Sequence, residues 1–319
     1  ANIHASVRGT VTAIKTHLHP SGNMVNSVIV ENDFKEEYIK DFNDQKDVEK
    51  LSKEEILNIV KDAGIVGMGG AAFPTHVKLM PPEGKKVEHI IINGAECEPY
   101  ITSDTRTMID RAHDVRQGVE LLIKTAPAVK KYIIGIEKNK SAAITKMKEI
   151  AVKNNKIKVV VLPSVYPQGG EKVLVYNTTG KVIPMGKLPI DVGCVVCNST
   201  TVATIGKYLK TGMPLIEKCV TVDGGAVNNP QNVIVPIGTP LKDVFEFCGG
   251  FKSEPKKVLY GGPMMGISVP NLDVPIIKNT NAILAFDEKQ AAPQKTTACI
   301  KCGSCANNCP FGIDPTRIA

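Results

Sequence analysis

At 319 residues, 43% hydrophobic and 22% charged, the chain has material for roughly two or three domains with sizeable cores. It has no run of ~18 apolar residues that would cross a bilayer as a helix. The balance of 39 basic against 32 acidic residues gives a formal charge of +7, and with no tryptophan and 5% aromatics nothing points to nucleic acid as a partner.

Residues 1–31 alternate like short strands around the turn signal Pro20-Ser21-Gly22-Asn23, with strand expected over 3–14, so a small N-terminal β domain is predicted there. Residues 32–53 are charged and polar and read as a linker with some helix. Ser52-Lys-Glu-Glu55 is a capping box that opens a helix running toward Ala63. From 54 to 211, glycine loops, helices and buried strands alternate. Strands are expected at 87–93, 131–136 and 158–163, and helices at 112–124 and 141–154. That βαβ order predicts an α/β domain with a largely parallel sheet under helical cover. Residues 212–275 change character. Val220-Thr-Val-Asp-Gly-Gly-Ala-Val, Asn232-Val-Ile-Val-Pro-Ile-Gly and 258–260 are strand-like, 240–248 is a short helix, and together they suggest a β-grasp (SLBB-like) module. Residues 276–319 read as a helical lead-in followed by a ferredoxin-type segment. Ten lysines between 124 and 158 form either a solvated helix face with its loops or a docking surface for an acidic redox partner or anionic membrane.

The chemistry is most explicit near the end. Cys299-Ile-Lys-Cys302-Gly-Ser-Cys305-Ala-Asn-Asn-Cys309-Pro310 has the C-x2-C-x2-C-x3-C-P spacing that holds [4Fe–4S] clusters in bacterial ferredoxins. Two-residue spacers wrap three soft thiolates around one cluster, and the cysteine before proline serves a second one. Zinc is the competing metal, but its motifs usually come as separated C-x2-C pairs. The second run that would complete both clusters does not follow, and Ala1 is not an initiator, so the chain reads as a segment of a longer subunit. The other five of nine cysteines form no regular disulfide framework, which fits a reducing, cytosolic setting.

Three loops carry the remaining signals. Gly64-Ile-Val-Gly67-Met-Gly69-Gly70-Ala71-Ala72-Phe73-Pro74-Thr75-His76-Val77-Lys78 lets backbone amides approach an anion, with Lys78 as a point charge; by generic rules it is a phosphate loop or a tight turn. Asn93-Gly-Ala-Glu96-Cys97-Glu98-Pro99 follows a buried strand, where open α/β sheets bind ligands, and its amide and carboxylates suit a flavin edge, a ribose or a carboxamide. Tyr166-Pro167-Gln168-Gly169-Gly170-Glu171 follows another strand and leads into a helix. Cys194-Val-Val-Cys197 invites a dithiol reading, but it lies in an apolar strand rather than opening a helix, so Asn198 just beyond is the better ligand contact. Cys97, Cys219 and Cys248 read as small buried hydrophobes, and His76 as a structural residue or a ligand contact.

In order and spacing, these three loops resemble the flavin-binding subunit of respiratory NADH dehydrogenase. The 3–14 segment, the β-grasp module with Gly261-Gly262-Pro263-Met264-Met265-Gly266 and the cysteine run make the whole chain resemble, more specifically, the C-subunit family of Rnf complexes, ion-translocating ferredoxin:NAD⁺ oxidoreductases. It departs from the NADH dehydrogenase protein at Met68, an arginine there, and at Ala95, an aspartate there. The resemblance implies a peripheral subunit on the cytoplasmic face of the cell membrane that binds FMN, NAD(H) and, in its full length, two [4Fe–4S] clusters. Its partners would be a ferredoxin-like subunit, membrane subunits that move the ion, and indirectly ferredoxin. By the same resemblance Gly67, Gly69, Gly70 and Lys78 hold the FMN phosphate and its neighbours, Asn93, Glu96 and Asn198 contact flavin and ribityl, and Gly169 and Gly170 complete the cofactor set. Phe73 stacks in the nucleotide cleft, Glu98 and Glu171 meet NAD(H), and Cys299, Cys302, Cys305 and Cys309 bind iron. A soluble relative feeding an amino-acid reductase would use the same modules, and a non-catalytic iron–sulfur scaffold is the reading of another class.

Overall fold

The structure, a computed structural model, describes residues 1–35, 50–126, 128–293 and 295–318. Strands β1 (Gly9–Leu18) and β2 (Met24–Asn32) form an antiparallel hairpin across the predicted Pro20-Ser21-Gly22 turn. Strand starts at Gly9 rather than Ile3. The residues before it are tied elsewhere, with Ser6 Oγ donating to Ile237 O and Asn2 O accepting from Lys278 Nζ. Most of the linker expected at 32–53 lies outside the described residues.

Helix α1 (Lys53–Asp62) begins at the expected capping box: Ser52 Oγ accepts the Glu55 amide at 3.2 Å, and Glu55 Oε2 accepts the Ser52 amide at 2.7 Å. There follow α2 (Thr75–Lys78), β3 (His89–Gly94), α3 (Ser103–Asp110), α4 (Ala112–Thr125), β4 (Lys131–Glu137), α5 (Ser141–Val152), β5 (Ile157–Leu162), α6 (Glu171–Thr179), β6 (Cys194–Asn198) and α7 (Ser199–Thr211). The four strands make an all-parallel sheet in the order β5-β4-β3-β6. Both faces are covered, which is why β3 reads as the uninterrupted apolar run Ile90-Ile91-Ile92. Ile90 and Ile92 pack with Val115, Val119 and Val202 on the α4–α7 side, while Ile91 packs with Leu174 and Val175 of α6 on the other. The same alternation sends Cys194 and Cys197 to opposite faces of β6, so they are structural hydrophobes and not a dithiol pair.

A second sheet, order β10-β9-β11-β7-β8, is built from β7 (Glu217–Asp223), β8 (Gln231–Pro236), β9 (Lys257–Tyr260), β10 (Ile267–Ser268) and β11 (Ala282–Phe286), with α8 (Leu241–Phe247) packed against it. Its middle strand corrects the sequence reading. The stretch after 276, expected as a helical lead-in, supplies β11, which runs parallel to β7 and antiparallel to β9. Short helices α9 (Glu288–Ala291) and α10 (Ser304–Asn308) follow, the latter inside the cysteine run. Among the described residues no helix is long and apolar enough to cross a membrane.

Candidate functional site

From β3 the chain moves outward to β4 and β5, then returns to β6 on the other side of β3, so the strand order reverses between the carboxyl ends of β3 and β6. Ligands of open α/β sheets bind at such a reversal. Asn93 and Asn198 sit there as register partners. The glycine loop closes over the same point: Gly67 N donates to Phe73 O at 2.8 Å, Ala72 N to Gly67 O at 3.0 Å, and a Cβ on Gly69 would come within 3.2 Å of Asn198 Nδ2. Gly70 has φ +111°, a backbone that side chains rarely tolerate, and open space where its Cβ would be. The amides of Gly69, Gly70 and Ala71 donate to no group among the described residues. Phe73 leaves 47% of its surface exposed beside them.

The three predicted loops meet here. Lys78 Nζ, at the end of α2, lies 2.5 Å from Glu171 Oε1, at the start of α6. Asn93 Nδ2 donates to Gly169 O at 2.9 Å, and Gly169 N donates to Cys97 Sγ at 3.3 Å. Gly169 is a close-approach glycine, since a Cβ would come 2.5 Å from Ala95 O. Gly170 N donates to Pro167 O and the residue caps α6. Cys97 is thus half-buried and a hydrogen-bond acceptor rather than a plain hydrophobe, whereas Cys219 and Cys248 are buried as expected. His76 has a buried Nδ1 with no partner among the described residues, and burial lowers its pKa.

Two expected flavin contacts face inward instead. Asn198 Oδ1 caps α7 by accepting the Thr201 amide at 3.1 Å, and its Nδ2 donates to Asp104 Oδ2 at 2.7 Å. Glu96 is buried under the loop: Oε1 accepts the Asp104 amide at 2.8 Å, Oε2 accepts the Thr105 amide at 3.1 Å and hydroxyl at 2.6 Å, and Lys140 Nζ stands 3.7 Å away. Its carboxylate therefore caps α3 at a distance. Desolvation, with Asp104 next to it, raises the Glu96 pKa to about 6 from 4.5. The folded pKa is the higher one, so this group's stabilisation is fully present below 4.5 and lost as pH rises through about 6. Relative to a Glu96→Gln variant, the parent protein should lose roughly 2 kcal/mol between pH 4.5 and 7 in denaturant titrations, and parallel pH curves would refute the assignment.

On the β-grasp side, Glu98 Oε2 accepts the Met264 amide at 2.9 Å, within the Gly261–Gly266 turn noted in the sequence. Its other oxygen is buried without a partner among the described residues, as is Oε2 of Glu137 at the end of β4. Both residues line a cleft of about 390 Å³ together with Glu96, Lys140 and Tyr166. Orphaned acceptors in a cleft suit hydroxyl or carboxamide donors. Sequence reading missed Glu137, Lys140 and Asp104, which lie outside any recognisable motif. The amides, the cation and the exposed aromatic ring of the glycine loop fit a flavin bearing a phosphate.

Cys299, Cys302 and Cys305 are exposed, Cys309 is half-buried, and all four are free. The backbone is left-handed at Lys301 and Gly303, and among the described residues no three His, Cys, Asp or Glu side chains converge as a metal site. Three thiols at two-residue spacing, with a fourth before Pro310, are nonetheless the soft donors that iron–sulfur clusters take, three for one cluster and the fourth for another.

Family models match three stretches: the Nuo51 FMN-binding domain at 60–207, the SLBB domain at 219–268 and the RnfC barrel sandwich hybrid domain at 1–35. The chain is 44% identical, over 100% of its own length and 69% of the relative's, to the C subunit of the proton-translocating ferredoxin:NAD(+) oxidoreductase complex of Clostridium ljungdahlii. It is 41% identical, over 99% of its length and 71% of the relative's, to the Na(+)-translocating counterpart of Acetobacterium woodii. A crystal structure of an NAD+-reducing [NiFe]-hydrogenase in the air-oxidized state superposes with a TM-score of 0.65 and 21% identity, covering 78% of this chain and 48% of that one, a likeness of fold.

Proposed function

Because the chain belongs to the family of C subunits of ion-translocating ferredoxin:NAD(+) oxidoreductase complexes, we propose that it is the subunit exchanging electrons between NAD(H) and iron–sulfur clusters by way of FMN. NAD(H) moves electrons in pairs as hydride and a cluster moves one, so a bound flavin supplies the exchange between the two. Other subunits of the complex are its partners and carry the ion. The chain sits peripherally, on the cytoplasmic face where NAD(H) is found. The observation that supports this best is the set of three amides on the glycine loop that have no partner among the described residues, beside exposed Phe73 at the strand reversal.

In this reading Gly69, Gly70 and Lys78 receive the phosphate, Gly67 closes the loop through its bonds with Phe73 and Ala72 and so does not meet the phosphate itself, and Phe73 covers the nucleotide cleft. Asn93, Gly169 and Gly170 fix one rim, while Glu96 and Asn198 support the floor through α3 and α7. Glu98 and Glu171 offer carboxylates to NAD(H), and Cys299, Cys302, Cys305 and Cys309 hold iron. Lys78 leaves Glu171 to meet the phosphate, and Lys78→Ala should weaken FMN binding about ten- to a hundredfold, as expected for a lost charge-assisted hydrogen bond. Flavin fluorescence titration measures it. An unchanged dissociation constant would remove Lys78 from the site, and a parent protein with no affinity for FMN would leave only the scaffold role.

A further inference from the structure

Three carbonyls of the glycine loop are gripped from outside the α/β domain. Lys218 Nζ donates to Met68 O at 2.8 Å, Asn279 Nδ2 to Gly70 O at 2.6 Å, and Lys278 Nζ to Gly64 O at 2.6 Å. Lys218 lies on β7, and Lys278 and Asn279 lie just before β11, its neighbour in the five-stranded sheet. In a trans peptide the carbonyl and the following amide point to opposite sides. The peptide bonds after Met68 and Gly70 are trans. Holding Met68 O on Lys218 therefore turns the Gly69 amide away from the β-grasp module, and holding Gly70 O on Asn279 turns the Ala71 amide away from that side chain. These are two of the three amides without a partner among the described residues.

Lys218 is only 4% exposed. Burial lowers its pKa to about 8, with Asp104 acting in the opposite sense, so it stays charged at neutral pH. A methionine or leucine would fill the same space without desolvating an ammonium, and that desolvation is costly. What the lysine adds is a bond to the loop and a positive charge directly beneath it.

We propose that the β-grasp module organises the anion site of its neighbour: Lys218 and Asn279 are positioning residues that grip the loop's carbonyls and so present its amides to the phosphate of FMN. This rests on the flavin reading above, and the two fail differently. The test titrates the full chain with FMN and with riboflavin, which lacks the phosphate, in Lys218→Met and Asn279→Ala variants checked by thermal melting. Lys218→Met should weaken FMN about tenfold or more and Asn279→Ala roughly two- to tenfold, as for charged and neutral hydrogen bonds, while riboflavin affinity holds in both. If Lys218→Met does not fold, half-buried Asn279 decides alone. Equal losses for both flavins would mean general loosening, and unchanged FMN affinity would mean the grip is incidental; either overturns the proposal. A parent protein that binds no FMN would overturn the flavin reading and this inference with it.

Discussion

Gly118→Ala is expected to destabilise the protein by roughly 3 kcal/mol or more, although alanine is the better helix former. Gly118 lies mid-way along α4, where an added Cβ would stand 2.0 Å from Val202 O and 2.8 Å from Val202 C on α7. Gly206 of α7 repeats the contact in reverse, its Cβ meeting Asp114 O at 2.0 Å. Both obstacles are backbone, so no rotamer change relieves them and the helices must separate. Propensity alone predicts a gain of about 0.5–1 kcal/mol, so the two accounts differ in sign. Separation also reaches the site, because α7 is capped by Asn198 and carries Thr200 and Thr201, and Thr201 Oγ1 accepts the Met68 amide at 2.9 Å. Denaturant unfolding and FMN titration should therefore both worsen. Gly180→Ala is the control: its φ is +74° but nothing lies within 4 Å of the new Cβ, so it should cost only backbone strain, about 1 kcal/mol. A stabilised Gly118→Ala protein would show that the helix contact is looser than these distances imply.

That contact had no sequence signature, and the contrast shows what one chain reveals. The capping box at Ser52 and the parallel strands were legible because each is a local pattern with one physical cause. Strand β11 was not: Ala282-Ile-Leu-Ala-Phe286 is a short apolar run, and such runs suit a buried strand or a buried helix segment equally. Helix α3 was hidden because Thr102 makes no side-chain cap; Glu96, from the preceding loop, does that work. For the same reason Glu96 looks like a ligand contact in the sequence. A carboxylate in a loop at a strand's end looks the same in sequence whether it faces solvent or a helix terminus. Lys218 beside Cys219-Val220 resembles any strand-edge lysine until the fold places Met68 O against it. Order along the chain located the site, but which polar groups face the ligand depends on contacts between distant segments.

The second large effect separates the entry of electrons from their exit. Glu98→Gln should slow flavin reduction by NADH about ten- to a hundredfold while leaving dithionite reduction of the clusters unchanged. A glutamine can keep an oxygen toward the Met264 amide, so the Gly261–Gly266 turn stays in place. The buried Oε1, which has no partner among the described residues, becomes an amide donor, which reverses the polarity offered to a hydroxyl or carboxamide in the cleft. Cys302→Ala should do the opposite. It removes one thiolate from the run at 299–309 and touches no hydrogen bond of the glycine loop, so NADH should still bleach the flavin while transfer to an external one-electron acceptor falls to background. Stopped-flow absorbance followed together with acceptor reduction reads both steps in the holoprotein. The two defects are separable because Glu98 and Cys302 lie in different modules and share no hydrogen-bond partner. If Cys302→Ala also abolished flavin reduction by NADH in a folded protein, the cysteine run would be part of the nucleotide site, and an electron path with distinct entry and exit would be wrong.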